Sequence, residues 1–154
     1  MIATTTPRMA QALSPVHRAQ LMGMARQANF AEGTRILDEG AHADHFWIIR
    51  TGTVALDMHV PGRRPAVIET LGFGELVGWS WLFEPYVWQL GAETMSLVRA
   101  FEFDATKVRA LCENDAGFGR EIEHWVGEVL AHRLLAARTR LLDLYAPHGS
   151  GLPR

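Results

Sequence analysis

The 154-residue sequence predicts a mainly β fold, a roll or sandwich of short strands with flanking helices and one long helix towards the C-terminus. Three observations predict it. Between Asn29 and Phe103, short apolar segments alternate with Gly33, Gly40, Gly52, Gly62, Gly72, Gly74 and Gly78, the punctuation expected of short strands joined by turns. Beyond Asp115 the period changes. Ile122, Val126, Val129/Leu130, Leu134, Ala137, Leu141 and Leu144/Tyr145 recur at three- and four-residue steps, which places them on one face of a helix. The composition, 48% hydrophobic and 21% charged, suits a single soluble domain. At this length a chain buries roughly 70% of the surface it would expose when unfolded.

Residues 1–12 hold Thr and Ala with one Arg and no continuous apolar run, and are expected as a flexible tail. The domain spans 13–145, and 146–154, with Pro147, Gly149, Gly151 and Pro153, forms a second tail. Ser14 and Pro15 are a helix start, Ser at the cap and Pro at the first helical position. Val16, Leu21, Met22 and Met24 give that helix an apolar face to about Gln27. Strands are expected near 30–31, 35–37, 44–50, 52–58, 66–71, 89–94 and 96–103. His45-Phe46-Trp47-Ile48-Ile49 is apolar and β-rich enough to be central. Pro61-Gly62-Arg63-Arg64 has turn composition. Asp104 caps a short helix over 105–112. Asn114-Asp115 opens the long helix, which runs to about Tyr145 with a break allowed near Gly117–Gly119. Its length lets it overhang the sheet. A symmetric partner is the commonest cover for such an overhang, so a homodimer through residues 122–145 is expected.

The formal net charge of −2 gives no reason to expect binding to nucleic acid or an anionic membrane. A single cysteine, Cys112, excludes an intrachain disulfide and a cysteine-based zinc site, which suits a reducing cytoplasm. No apolar run reaches bilayer length, and the N-terminus lacks the apolar core of a signal peptide.

The stretch richest in chemical potential is Gly72-Phe73-Gly74-Glu75-Leu76-Val77-Gly78 with the aromatic run Trp79-Ser80-Trp81-Leu82-Phe83-Glu84-Pro85-Tyr86-Val87-Trp88. Three glycines in seven residues let the backbone approach a ligand closely. Yet no Lys or Arg lies between Arg64 and Arg99, and three of the five tryptophans fall within ten residues. Together with Phe30-Ala31-Glu32-Gly33-Thr34-Arg35-Ile36-Leu37-Asp38-Glu39-Gly40 and Asp44-His45-Phe46-Trp47-Ile48-Ile49-Arg50-Thr51-Gly52-Thr53-Val54, this stretch resembles the cyclic-nucleotide-binding domain of the CRP/FNR regulators. The resemblance covers about residues 13–145. It implies a double-stranded β-helix, a jelly-roll-like β-roll, with a long C-terminal helix. It also implies a phosphate-binding cassette starting at Gly72.

In that family, cassette amides cradle the cyclic phosphate, as helix N-termini and backbone nests do. A Glu takes the ribose hydroxyl, an Arg neutralises the phosphate, a small hydroxyl residue follows, and the long helix caps the base. Carried over, Gly74 fits the amide position and Glu75 the ribose position, with Gly72 and Leu76 beside them as candidate ligand-binding residues. The arginine position falls near Trp88, after an insertion of about three residues, and the hydroxyl position near Gln89. The base-contact region falls near Ala137, Arg138 and Thr139, with Arg138 the polar candidate. The defining cation is therefore missing. A charge-assisted bond is worth about 1.5–3 kcal/mol, roughly one to two powers of ten in affinity. Arg99, Arg133 and Arg138 are candidate substitutes. A cyclic nucleotide is thus a disfavoured ligand, and weak or no binding of cyclic AMP or GMP is expected. Only nine residues follow Tyr145, too few for the family's helix-turn-helix, so direct DNA binding by this chain is not expected.

The aromatic run has three readings: a plug filling the nucleotide cavity, a pocket lined by stacking rings, or a surface for a small-molecule or protein partner. His42 and His45, near Asp38, Glu39 and Asp44, raise a cupin-like metal site, but their three-residue spacing across a loop-to-strand junction fits surface histidines better. His124 and His132 are expected exposed or at a dimer seam. Ser80 and Ser96 lack a nucleophile-elbow setting, and Cys112 reads as a buried thiol. No catalysis and no bound metal are expected. The expected function is a regulatory, ligand-sensing module with an altered cassette; the alternative is a degenerate domain serving as a protein-interaction module.

Overall fold

In the computed structural model, which describes residues 8–145, the strand at His45–Thr51 (β3) organises the roll. Phe46, Trp47, Ile48 and Ile49 are all buried, so β3 is covered on both faces. Its neighbours are β8 (Val98–Asp104) on one side and β6 (Leu76–Val77) on the other, and β1 (Arg26–Phe30) pairs with the far edge of β8. The second sheet runs β2 (Arg35–Leu37), β7 (Gly91–Thr94), β4 (Val54–Met58), β5 (Ala66–Leu71). All pairings are antiparallel. One hydrophobic core joins the sheets, with the Phe46 ring stacked on Trp81 at 4.0 Å and on Phe103 at 4.8 Å. These eight strands and the long C-terminal helix form the β-roll that the glycine-spaced segments predict.

Four helices flank the roll: α1 (Met9–Ala12), α2 (Pro15–Met22), α3 (Ala105–Asn114) and α4 (Ala116–Tyr145). Met9–Ala12 lies inside the stretch expected as a flexible tail, yet it is helical, packs on α4 and buries Met9. Residues 1–7 and the second tail, 146–154, lie outside the described residues. Helix α2 starts at the expected Ser14-Pro15 cap, and the Ser14 amide donates to Glu121 Oε1 at 2.8 Å, tying α2 to α4. It ends at Met22, short of Gln27. Residues 26–30 instead pair with β8 from Arg26↔Glu102 to Phe30↔Val98, where the strand partner satisfies every second backbone group. Val16 is 69% exposed and is not part of the core.

The break allowed near Gly117–Gly119 does not occur: α4 is continuous over 30 residues, capped by Asp115, whose Oδ1 accepts from the Phe118 amide at 3.1 Å. The glycine serves packing instead. A Cβ at Gly119 would lie 2.6 Å from the Cys112 carbonyl oxygen, so its absence lets α4 press against α3. Ile122, Val126 and Val129 are fully buried against the roll. Further along, Leu134 is 71%, Leu141 52% and Leu144 54% exposed. The apolar stripe is therefore covered in its first half and uncovered in its second. No described helix is long and apolar enough to cross a membrane.

Candidate functional site

The glycine-rich turn joins β5 to β6 and is tied down by its own backbone. The Gly74 amide donates to Ile49 O at 2.8 Å, the Glu75 amide to Gly72 O at 3.1 Å, and the Ile49 amide to Glu75 O at 3.1 Å. Gly74 and Gly78 have φ of 77° and 94°, a conformation that favours glycine. Gly78 has a second reason to lack a side chain. A Cβ there would lie 2.5 Å from Trp88 Cη2 and 2.6 Å from Cζ3. The Trp88 ring packs where a Cβ would be.

Trp81 and Trp88 of the aromatic run point inward, while Phe83 is 42% exposed. Ser80–Leu82 forms a 3-10 turn, Trp81 is fully buried, and its Nε1 donates to Gly78 O at 3.0 Å. Arg109 from α3 clamps the run: its Nη1 donates to Trp81 O at 2.7 Å and its guanidinium lies 4.0 Å over the Tyr86 ring. The return strand is fixed to 40–43 by Trp88 N to Ala41 O and Gly40 N to Trp88 O, each 2.9 Å, and by Ala43 N to Tyr86 O at 2.8 Å. Between Leu37, Leu56, Gly78, Trp79, Ser80, Trp88, Leu90 and Arg133 a void of only ≈ 10 Å³ remains, about the room of one water. Pockets for small ligands take roughly 300 Å³ or more.

A buried charge cluster borders this void. Arg133 on α4 is 5% exposed. Its Nη2 donates to Leu76 O, and its Nε stands 4.0 Å from Glu69 Oε1 on β5. His132 Nε2 lies 2.7 Å from Glu69 Oε2. Burial pushes Arg133 down to about 10, opposed by the charges of Glu69 and Glu75. Burial also holds the Glu75 carboxyl above its usual range; Glu69 adds to this, while Arg133 acts against it. Arg133 Nη1 and Glu75 Oε2 are buried with no hydrogen-bond partner among the described residues.

The sequence candidates thus separate. Gly72, Gly74 and Glu75 form the turn, Leu76 is buried in β6 with its carbonyl on Arg133, and Trp88 fills the interior. Gln89 is exposed, its Nε2 donating back to Val87 O at 3.2 Å, and does not line the void. Arg138 and Arg99 are exposed on α4 and β8. Arg133 reaches the cassette at the Leu76 carbonyl, and Arg8 packs on its glycine turn, its Cδ 3.0 Å from where a Gly74 Cβ would lie. His132, expected exposed or at a seam, is instead nearly covered against Glu69, whereas His124 is exposed beside Glu128. His42 Nδ1 lies 3.2 Å from Tyr86 O, and among the described residues no group of three or more His, Cys, Asp or Glu is arranged to hold a metal. Burial, reinforced by Glu123 and Glu113, pushes the Cys112 thiol up to about 11, far from a reactive thiolate.

An eight-stranded roll with a glycine-turn cassette and a long following helix defines the class of cyclic-nucleotide-binding-like domains. The family model for the cyclic nucleotide-binding domain matches residues 27–115, and the chain belongs to that family. It is 27% identical over 134 residues to the CRP-like cAMP-activated global transcriptional regulator of Mycobacterium tuberculosis, covering 87% of this chain and 58% of that protein. The chain therefore spans little more than half the length of that relative. Among solved structures, a putative cyclic nucleotide-binding protein of Geobacter metallireducens aligns with TM-score 0.69 at 21% identity, covering 79% of this chain and 88% of that one. The c-di-GMP responsive global regulator CLP of Xanthomonas campestris aligns with TM-score 0.75 at 17% identity, covering 86% and 65%. These two likenesses concern the fold. Arg133 lies beyond the matched segment 27–115.

Proposed function

We propose that this domain is a regulatory module whose cassette has closed on itself, so that it binds cyclic AMP and cyclic GMP weakly or not at all. The observation that carries the reading is the packing of Trp88 against Gly78, which leaves ≈ 10 Å³ where a nucleotide would need a pocket. In this reading Gly72, Gly74, Glu75 and Leu76 are the retained cassette frame, Trp88 is the plug, and Arg133 takes the place of the cassette cation. The domain acts through binding and helix position, without catalysis. Calorimetric titration of the full chain with each nucleotide checks this: the expected result is no saturation in the micromolar range. Micromolar or tighter binding of either would sink the proposal.

The closed interior also favours the second reading, a degenerate domain kept as an interaction module. Both readings share one output, the uncovered half of α4. Leu130, Leu134, Ala137, Leu141 and Leu144 follow 4-3-4-3 steps, the spacing of a coiled-coil seam. The proposed occupant is α4 of a second copy. Sedimentation velocity is expected to give a dimer, and Leu134→Glu with Leu141→Glu to give a monomer with unchanged circular dichroism. A monomeric parent chain would remove the seam from this account.

A further inference from the structure

An apolar groove lies apart from the cassette interior. It measures ≈ 460 Å³ and lies behind the glycine turn, between α1, α2 and the β3–β8 face. Met9, Met22, Ile48 and Phe101 give it an apolar floor, and Phe73 and Gly74 form one wall. Its volume falls in the usual range for small-ligand pockets, roughly 300–1,000 Å³. Phe73 is 65% exposed, and the groove gives that exposure a use.

The charges at the groove are of one sign. Its lining contains Arg8 and Arg50 and no carboxylate. Each guanidinium lies over an aromatic ring, Arg8 Cζ at 5.3 Å from the Phe73 centroid and Arg50 Cζ at 4.9 Å from that of Phe101. Neither has an ion-pair partner or a side-chain hydrogen bond among the described residues. Glu75, on the far side of Gly74, feels the field of Arg8 but does not pair with it. A guanidinium over an aromatic ring gains cation–π attraction while its N–H donors stay available to a carboxylate.

We propose that this groove is a binding site for an amphipathic carboxylate, a medium-chain fatty acid. Its alkyl tail lies along Met9, Met22 and Ile48, and its carboxylate meets the guanidinium groups at the rim. A finite concave groove selects a single chain rather than a lipid surface. The site is separate from the nucleotide cavity yet shares the Phe73–Gly74 turn with it, and α1 on its border packs against α4. Occupancy therefore touches both the cassette and the helix.

Calorimetry on the full chain with decanoate, decanol, decylamine and decanoate-free anionic vesicles tests the site. Saturable one-to-one binding of decanoate is expected, with decanol about tenfold or more weaker and no binding of decylamine. Arg8→Gln and Arg50→Gln are each expected to weaken decanoate by about ten- to a hundredfold without changing decanol. Ala10 is exposed on the groove border, so Ala10→Trp tests occupancy without touching the core and is expected to abolish binding. Equal binding of decanoate and decanol, insensitivity to Ala10→Trp, or binding to vesicles alone would each overturn the proposal. So would decanoate binding that appears only after deletion of residues 1–7, which would assign the groove to the chain's own N-terminus.

Discussion

Trp88→Ala is expected to cost about 3–5 kcal/mol of stability, the range for removing a large aromatic from a packed interior. The Trp88 side chain is only 5% exposed and lies against Gly78, Leu56 and Leu37. Collapse into the space is limited, because Gly78 has no side chain and the backbone of 86–88 is pinned to 40–43 by three hydrogen bonds; Trp47, 6.5 Å away between ring centroids, is the large neighbour left to relax. The void would grow well beyond ≈ 10 Å³. Urea denaturation of parent and variant, read as a change in midpoint at constant slope, measures the loss. The same variant tests the plug. If Trp88 is what closes the cassette, Trp88→Ala should bind cyclic AMP or GMP at least about tenfold better than the parent chain. A destabilised variant with no gain in affinity would leave Trp88 as ordinary core and place the obstacle elsewhere.

The roll was legible because its signals are local. Glycines at 33, 40, 52 and 62 have φ of 80°, 86°, 97° and 71°, and such positions advertise themselves as turns. The missed strand, β6, has two residues, too few to show alternation. β1 was hidden because 26–30 carries no strand signal of its own and is held by pairing with β8. In the site, the stretch without Lys or Arg between Arg64 and Arg99 was legible directly, whereas only the structure shows that Trp81 and Trp88 of the aromatic run are buried while Phe83 is 42% exposed. Of the three candidate substitutes, Arg99, Arg133 and Arg138, Arg133 is the buried one. On the inward row of α4, Ile122, Val126 and Val129 step by four and three, and the next four-residue step falls on Arg133. A charge on the buried row is the signal that points to it, since buried arginines require a partner. What no spacing could supply is the partner set, Glu69 and the Leu76 carbonyl from β5 and β6, with the neighbouring His132 bonded to the same Glu69.

Replacing Arg133 is expected to have an effect as large, with a different pH signature. Removing one member of a buried ionic cluster typically costs about 3–5 kcal/mol, because the remaining charges stay desolvated without compensation. Arg133→Met keeps most of the stem and the packing against the void, so it isolates the charge. Without the guanidinium, Glu75 loses the charge that restrains its upward shift. A carboxyl whose folded pKa lies above its unfolded value supports stability below the unfolded pKa, and that support is lost as pH rises through the folded pKa. The deficit of Arg133→Met should therefore be greatest at neutral pH and shrink as pH falls towards the ordinary carboxylate range near ~4. Adding Glu75→Gln should recover part of the neutral-pH loss, since it removes the carboxylate that ionises at greatest cost. Urea midpoints across this pH range measure both effects. A deficit that is the same at every pH would mean that Arg133 contributes packing and its bond to Leu76 O, and that the carboxylates are not its electrostatic partners. A deficit that follows the predicted slope would make Arg133 the link by which the position of α4 and the charge state of the cassette depend on each other.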